Sequence, residues 1–430
     1  VIGGLITATI LTLVVLPVLY SIFETNSFNF RSKTKEKVPM LILLLFLPVV
    51  GFSQTKTIAL NEAIKLAEKN NKQLIIKSLE IDKSNKAVLG SFDIDKATIY
   101  YTKDKTNLGI DGKPFDTYGI SQIIEFPTVY FAKKKANKIG THLSEISYDI
   151  SKNNLRKKVS QEYYHILFLN EKLKHLIYID SLYQNFSKAA KRKFELGESN
   201  YLEMITSESK YKQYSSQLNQ LKNDIAIGYE SLNILLQIEE DFQISTIEFT
   251  KIKVENIDLK NHLINQYYDE NRQWFKARKG LEMQKLLPDL HFNYFNSKDI
   301  IDKTSVNSFT AGISIPIFFF GKSANISISN IERDIANEEA FDMKIQLNSK
   351  YAILLEELHK SNSKLDYYYE SGENLAQEIL KTAAASYKKG EIDFFQYIQS
   401  IETANQLNID HLTNLYSYNQ IALEINYLNL

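Results

Sequence analysis

The sequence predicts a mainly α-helical protein with a small β part, built from two copies of one unit: a helix, a β-hairpin and a long helical hairpin. Three observations carry the prediction. A helical turn is written twice, as Phe194-Glu-Leu-Gly-Glu-Ser-Asn-Tyr201 and as Tyr387-Lys-Lys-Gly-Glu-Ile-Asp-Phe394, and its glycines, Gly197 and Gly390, stand 193 residues apart. Gly119-Ile-Ser121 and Gly312-Ile-Ser314, each inside an alternating apolar and polar run, keep the same offset. The 430 residues include only 15 Gly and 7 Pro, so the chain has few places to turn and its elements must be long. Solenoid repeats recur at about 20 to 50 residues, so this spacing reads as the duplication of one large unit.

The first segment stands apart from that unit. Opening on Val1 and not on Met, the chain is expected to be part of something longer. Residues 1–24 begin with an uncharged stretch, Val1 to Phe23, long enough to cross a bilayer as a helix. Its Gly3-Gly4, Thr7, Thr9 and Leu16-Pro-Val-Leu-Tyr20 resemble the last transmembrane helix of resistance-nodulation-division (heavy-metal efflux) inner-membrane pumps. Residues 25–39 contain Arg31-Ser-Lys-Thr-Lys-Glu-Lys37, a basic loop placed in the cytoplasm by the positive-inside rule. Residues 40–53 are apolar, too short for a comfortable span and end in small residues, the layout of a secretory signal peptide cleaved near Ser53. A second membrane helix tethering the rest of the chain is the alternative. Either way, the chain after Gln54 faces away from the cytoplasm.

The first copy, residues 54–238, starts with an amphipathic helix over Leu60 to Leu89, where Leu60, Ile64, Ala67, Leu74, Leu79, Ile81 and Ala87 fall at helical spacing. The period then drops towards two in Ala97 to Lys103 and Tyr118 to Glu125. The turn formers at 107–109 and 111–114 between them predict a β-hairpin. From Pro127 to Gly197 no strong breaker intervenes except Gly140, and apolar residues step by three and four, so one helix roughly 100 Å long is expected. A second long helix, Tyr201 to Leu236, returns beside it as an antiparallel coiled-coil partner.

A polar linker, 239–258, joins the copies. The second copy, 259–430, repeats the order: a helix near Leu259 to Leu286, strands at Asp289 to Phe295 and Ser308 to Ile317, a helix from Lys322 to Lys388, and a last helix from Phe394. In the second strand Phe309, Ala311, Ile313, Ile315 and Ile317 share one face and Thr310, Gly312 and Ser314 the other. One face suits lipid and the other water. Four strands cannot close a transmembrane barrel, since about eight is the smallest number that does, so several chains must pool them. Three chains give twelve strands, and their long helices then surround a conduit.

These residues also resemble a family, the TolC-like outer-membrane efflux factors, and within it the channels of heavy-metal and multidrug tripartite pumps. The resemblance runs from about Leu60 to Leu430. It is carried by Tyr118-Gly-Ile-Ser-Gln-Ile-Ile-Glu-Phe-Pro127, Leu286-Leu-Pro-Asp-Leu290, Gly312-Ile-Ser-Ile-Pro-Ile-Phe318 with Gly321-Lys322, and the two Gly-Glu turns. It implies a homotrimer with a 12-stranded β-barrel, four strands per protomer, in outer-membrane lipid. An α-helical barrel would continue it across the periplasm, towards a periplasmic adaptor and an inner-membrane resistance-nodulation-division pump. The turns at Gly197, Glu198, Gly390 and Glu391 would form the periplasmic tip. The family's pore-narrowing carboxylates fall here on Gln396 and Gln399, which are neutral, leaving Glu203 and Asp393 as the charged members of a pore constriction. The same residues also suit plain helix starts, where a carboxylate is favoured by the helix dipole.

Composition removes other functions. With 51 basic and 51 acidic residues there is no field for nucleic acid, and without Cys there are no disulfides, thiolate metal sites or cysteine nucleophiles. The closest histidines, His165 and His175, are ten residues apart, so no metal site is expected, and no phosphate loop or nucleophile elbow occurs. No cofactor and no enzyme activity are expected. The expectation is a passive export conduit, with the pump-like first segment pointing to metal cations or drugs as cargo. The rival is a periplasmic coiled-coil scaffold anchored in the inner membrane, which has no use for a lipid-facing strand.

Overall fold

A computed structural model describes residues 56–104, 115–299 and 303–429 of the chain. The chain divides into two units, Val1–Gln54 and Thr55–Leu430, and the described residues belong to the second. The expected membrane helix, basic linker and signal-like segment lie outside them.

A short strand β1 (Lys56–Ile58) leads into α1 (Leu60–Asn70) and α2 (Lys72–Leu89). The single helix expected over Leu60 to Leu89 is thus two, because Asn71 leaves the helical region (φ −62°, ψ 117°) and its Oδ1 accepts from Gln73 N at 3.1 Å and Leu74 N at 3.3 Å. An Asn in that position caps a new helix better than it continues an old one. Strands β2 (Thr98–Asp104) and β3 (Phe115–Ile124) form the first hairpin. Helix α3 (Pro127–Glu195) is unbroken over 69 residues, started by proline at its first position, and α4 (Tyr201–Leu236) returns along it.

The expected linker carries a strand, β4 (Phe242–Ile244), which pairs in parallel with β1, Lys56 opposite Phe242. In the second copy come α5 (Leu263–Gln284), β5 (Asp289–Asp299) and β6 (Ser305–Ser314). Strand β6 stops before Ile315 and Ile317, which had been expected to extend it, because Pro316 has no N–H to donate to a ladder. The long helix expected from Lys322 to Lys388 is interrupted. Helix α6 (Phe320–Tyr367) runs into a π-turn (Tyr368–Gly372) and continues as α7 (Glu373–Lys389). Helix α8 (Phe394–Asn426) ends the described fold.

The two hairpins of strands join into one antiparallel sheet in the order β2-β3-β5-β6. The copies are not paired in the same register. Tyr100 lies opposite Gly119, whereas its counterpart Asn293 lies opposite Thr310, two residues short of Gly312. A slip of two preserves which face each side chain takes. The main core lies between the helical hairpins, where Tyr163, Ile166, Ile179, Tyr183, Leu232 and Ile401 are buried to within 1%. Among the described residues no helix is long and apolar enough to cross a membrane.

Candidate functional site

The sheet has two unlike faces. Cross-strand partners in an antiparallel sheet point the same way, so the register assigns every residue. One face gathers Ile99 and Tyr101 of β2, Tyr118 and Ile120 of β3, Phe292 and Tyr294 of β5, and Phe309, Ala311 and Ile313 of β6. Its large side chains are exposed in the single chain: Ile99 82%, Phe309 67% and Ile313 62%. Tyr101 and Tyr118 meet with ring centroids 4.9 Å apart, and the Tyr101 hydroxyl donates to Asp116 Oδ1 at 2.8 Å.

The other face is knit by polar side chains. Tyr100 Oη donates to Asn293 Oδ1 at 3.0 Å, Thr117 and Ser297 share a hydroxyl bond of 2.8 Å, and Ser121 Oγ lies 3.0 Å from His291 Nε2. The Tyr100 ring lies flat over Gly119, where a Cβ would come within 2.3 Å of its Cζ. This network joins the two copies, and the sequence reading missed it. Of the expected lipid-facing residues, Phe309, Ala311 and Ile313 lie together on the apolar face. Ile315 and Ile317 lie past the strand end, exposed, beside Phe318 to Phe320.

At the far end of the helices the two turns have closely similar geometry. Gly197 (φ 74°) and Gly390 (φ 77°) are left-handed with open space around them. Glu198 N donates to Lys193 O at 2.8 Å, and Glu391 N to Ser386 O at 2.9 Å, the six-to-one bond that closes a helix end. The following helices start on capping residues. Asn200 Oδ1 accepts from Glu203 N at 2.9 Å. Asp393 Oδ1 accepts from Gln396 N at 2.8 Å, while Gln396 Oε1 accepts from Asp393 N at 2.9 Å, a reciprocal box. Asp393 and Gln396, expected at a pore constriction, are therefore engaged with each other's backbone. Glu391 accepts from Ser386 Oγ at 2.8 Å. The Gln399 side chain is exposed.

Behind the turns an aromatic group binds the two helical hairpins together. Phe186 of α3 stacks on Phe394 (5.2 Å) and meets Tyr397 edge-on (5.4 Å), and Tyr387 stacks on Tyr397 (4.7 Å). Further along, Tyr183 stacks on Tyr214 at 4.8 Å, Lys210 pairs with Glu402, and Asn405 bridges His175 Nε2 and Tyr214 Oη. Burial raises the Tyr183 hydroxyl pKa far above its ordinary value. Among the described residues no three His, Asp or Glu side chains converge as metal ligands would.

No family model matches the chain, and no curated protein does. Solved structures do, at low identity. The CmeC outer membrane channel of Campylobacter jejuni is 16% identical with a TM-score of 0.72, over 86% of this chain and 84% of that one. The outer membrane protein VceC of Vibrio cholerae is 11% identical with a TM-score of 0.69, over 86% and 95%. The outer membrane channel MtrE of Neisseria gonorrhoeae, in its open state, is 13% identical with a TM-score of 0.68, over 86% and 88%. At such identities the likeness is one of fold: this chain folds as outer membrane channels do.

Proposed function

We propose that this chain, folded as outer membrane channels are, is the outer-membrane conduit of a tripartite efflux system. The observation that carries the reading is the four-stranded sheet, apolar on one face and polar on the other, with β2 and β6 as open edges. A sheet of this kind is stable in a bilayer only when its edges are paired. Three copies, each pairing β6 with the next β2, close a barrel of twelve strands. Its apolar face meets outer-membrane lipid and its network of Tyr100, Asn293, Thr117 and Ser297 faces water.

In this reading residues 54–238 and 259–430 are the two copies joined by 239–258, and residues 1–53 are removed by cleavage near Ser53. The helical hairpins form the periplasmic wall, with Gly197, Glu198, Gly390 and Glu391 at its tip. Glu203, Asp393, Gln396 and Gln399 ring the narrow end. A periplasmic adaptor and a resistance-nodulation-division pump deliver cargo there, metal cations or drugs, and the channel itself performs no chemistry. The unlike faces argue against a bare coiled-coil scaffold.

The test is native mass and planar-bilayer conductance of the detergent-extracted protein. A trimer from the outer-membrane fraction with steady single-channel currents is expected. An inner-membrane monomer or dimer that conducts nothing would overturn the reading.

A further inference from the structure

The end of the sheet where strands meet helices is not symmetric with the other end. Strands β2 and β5 begin there and β3 and β6 end there, so all four junctions share one rim. The rim is aromatic and exposed: Phe131 is 61% accessible, Phe318 86% and Phe320 76%. At the α3 junction the rings are ordered. Phe92 stacks on Tyr130 with centroids 5.8 Å apart, and Phe131 stands edge-on to Phe92 at 5.3 Å and 86°.

Lysines follow at once. Lys133, Lys134, Lys135 and Lys138 occupy the next turns of α3, and among the described residues none of them has an ion-pair partner. Lys134 Nζ lies 5.7 Å from the Phe92 centroid. Lys135 and Lys138 share the exposed helix face of Phe131, four and seven residues on. The helix is anchored beneath them by Asn137 Nδ2, which donates to Ala87 O at 2.9 Å and to Ser91 Oγ at 3.0 Å. Acidic residues are present at this level too: Asp95, Glu125 and Asp289 lie near the Tyr130 hydroxyl, which accepts from Glu125 N at 3.2 Å. At the opposite end of the sheet the charges alternate, with Lys103, Asp116 and Lys298 on neighbouring strands.

We propose that Phe92, Phe131, Lys134, Lys135 and Lys138 form a binding site for an anionic glycerophospholipid of the leaflet on the helical side. Its phosphate lies among the lysines, and its acyl chains run past Phe131 onto the apolar strand face. The inference rests on the channel reading, since it needs the strands in a bilayer. Aromatic rings prefer the depth of the headgroups, and ammonium groups that project just beyond them meet phosphate. The exposed aromatic rim adjoins the strand ends that carry the apolar face, and among the described residues the lysines beside it have no ion-pair partner. A lipid supplies both complements in one molecule, and inorganic phosphate supplies only one.

The experiment uses the full chain in detergent, delipidated and titrated with phosphatidylglycerol, phosphatidylcholine or inorganic phosphate under native mass spectrometry. Phosphatidylglycerol is expected to bind best and inorganic phosphate not to compete. The variant Lys134→Glu, Lys135→Glu, Lys138→Glu is expected to lose at least roughly 100-fold, since each surface lysine is worth about five-fold towards anionic lipid. If charge reversal blocks assembly, Lys134→Gln, Lys135→Gln, Lys138→Gln carries the same comparison. Equal phosphatidylglycerol binding by wild type and variant, or full competition by inorganic phosphate, would overturn the site. The spectra also report the assembly, so the two readings fail separately: an intact trimer without lysine-dependent lipid sinks this proposal alone, and loss of the trimer in the wild type sinks the channel.

Discussion

Two glycines at equivalent places in the duplicated unit carry different burdens. A Cβ on Gly119 would strike the Tyr100 ring at 2.3 to 2.7 Å, while one on Gly312 meets nothing within 4 Å. Gly119→Ala is therefore expected to lower stability by about 1 to 3 kcal/mol, because the ring must leave and its bond to Asn293 with it. Gly312→Ala is expected to cost nothing measurable. Thermal unfolding in detergent separates them, and equal losses would show that the Tyr100 contact is not the cause. Three histidines set a pH response. Burial is the main cause that lowers the pKa of His165, His262 and His411. His262 is fixed as a neutral ring, with Nδ1 accepting from Ile264 N and Nε2 donating to Leu428 O, and His411 stacks on Tyr368 at 3.9 Å. A folded-state pKa below the unfolded value means that unfolding takes up protons in acid. Stability is thus full above the ordinary histidine value, about 6.5, and falls as pH drops through and below it. Melting temperature measured from about pH 8 to 5 should decline on the acid side, and His411→Phe should flatten part of that decline.

Among the elements, the tip turns are local structures and were legible as such. A glycine after a run of helix formers, then Asn or Asp before the next run, states where one helix stops and the next begins. The bounds read for α4, Tyr201 to Leu236, are the observed ones. Gly197→Ala and Gly390→Ala should each cost about 1 to 2 kcal/mol, because an L side chain at positive φ is strained. Asp393→Ala should cost about 1 kcal/mol through the lost cap. Chemical denaturation measures all three, and a smaller loss at Asp393 than at either glycine is the expected ranking. The reciprocal box was readable too, in Asp393-x-x-Gln396, and it accounts for both residues without reference to a pore. The parts that sequence reading missed depend on distant residues. The β1–β4 pair joins three-residue strands from far apart in the chain, too short to show a period. At the π-turn Tyr368 makes its contacts with α8, donating to Asn408 Oδ1 at 2.8 Å and stacking on His411, and local propensity gives no sign of them. The two-residue slip lies in the pairing within each hairpin and leaves the alternation on every strand unchanged, so the strand sequences carry no sign of it. Asn71, by contrast, was a cap that the periodicity of Leu60 to Leu89 concealed.

At the scale of the whole molecule, the apolar face was readable from β6 alone and the polar face was not, because its bonds cross between copies. Cross-linking tests the proposed assembly: Ile99→Cys on β2 is combined in turn with Phe309→Cys, Ala311→Cys or Ile313→Cys on β6, all on the apolar face, and at least one combination is expected to give disulfide-linked dimers and trimers in a denaturing gel. Monomer alone after oxidation would place the two edges apart. The open edges also govern the chain before assembly. A newly made chain presents two unpaired strands, β2 and β6, and either can add a foreign strand as readily as the right one. In the proposed trimer, ring closure needs three chains to meet in order, whereas open-ended stacking only needs the next chain to arrive. On that reading the yield of closed rings depends on how fast chains are supplied, and slow synthesis is expected to favour the ring over open-ended stacking.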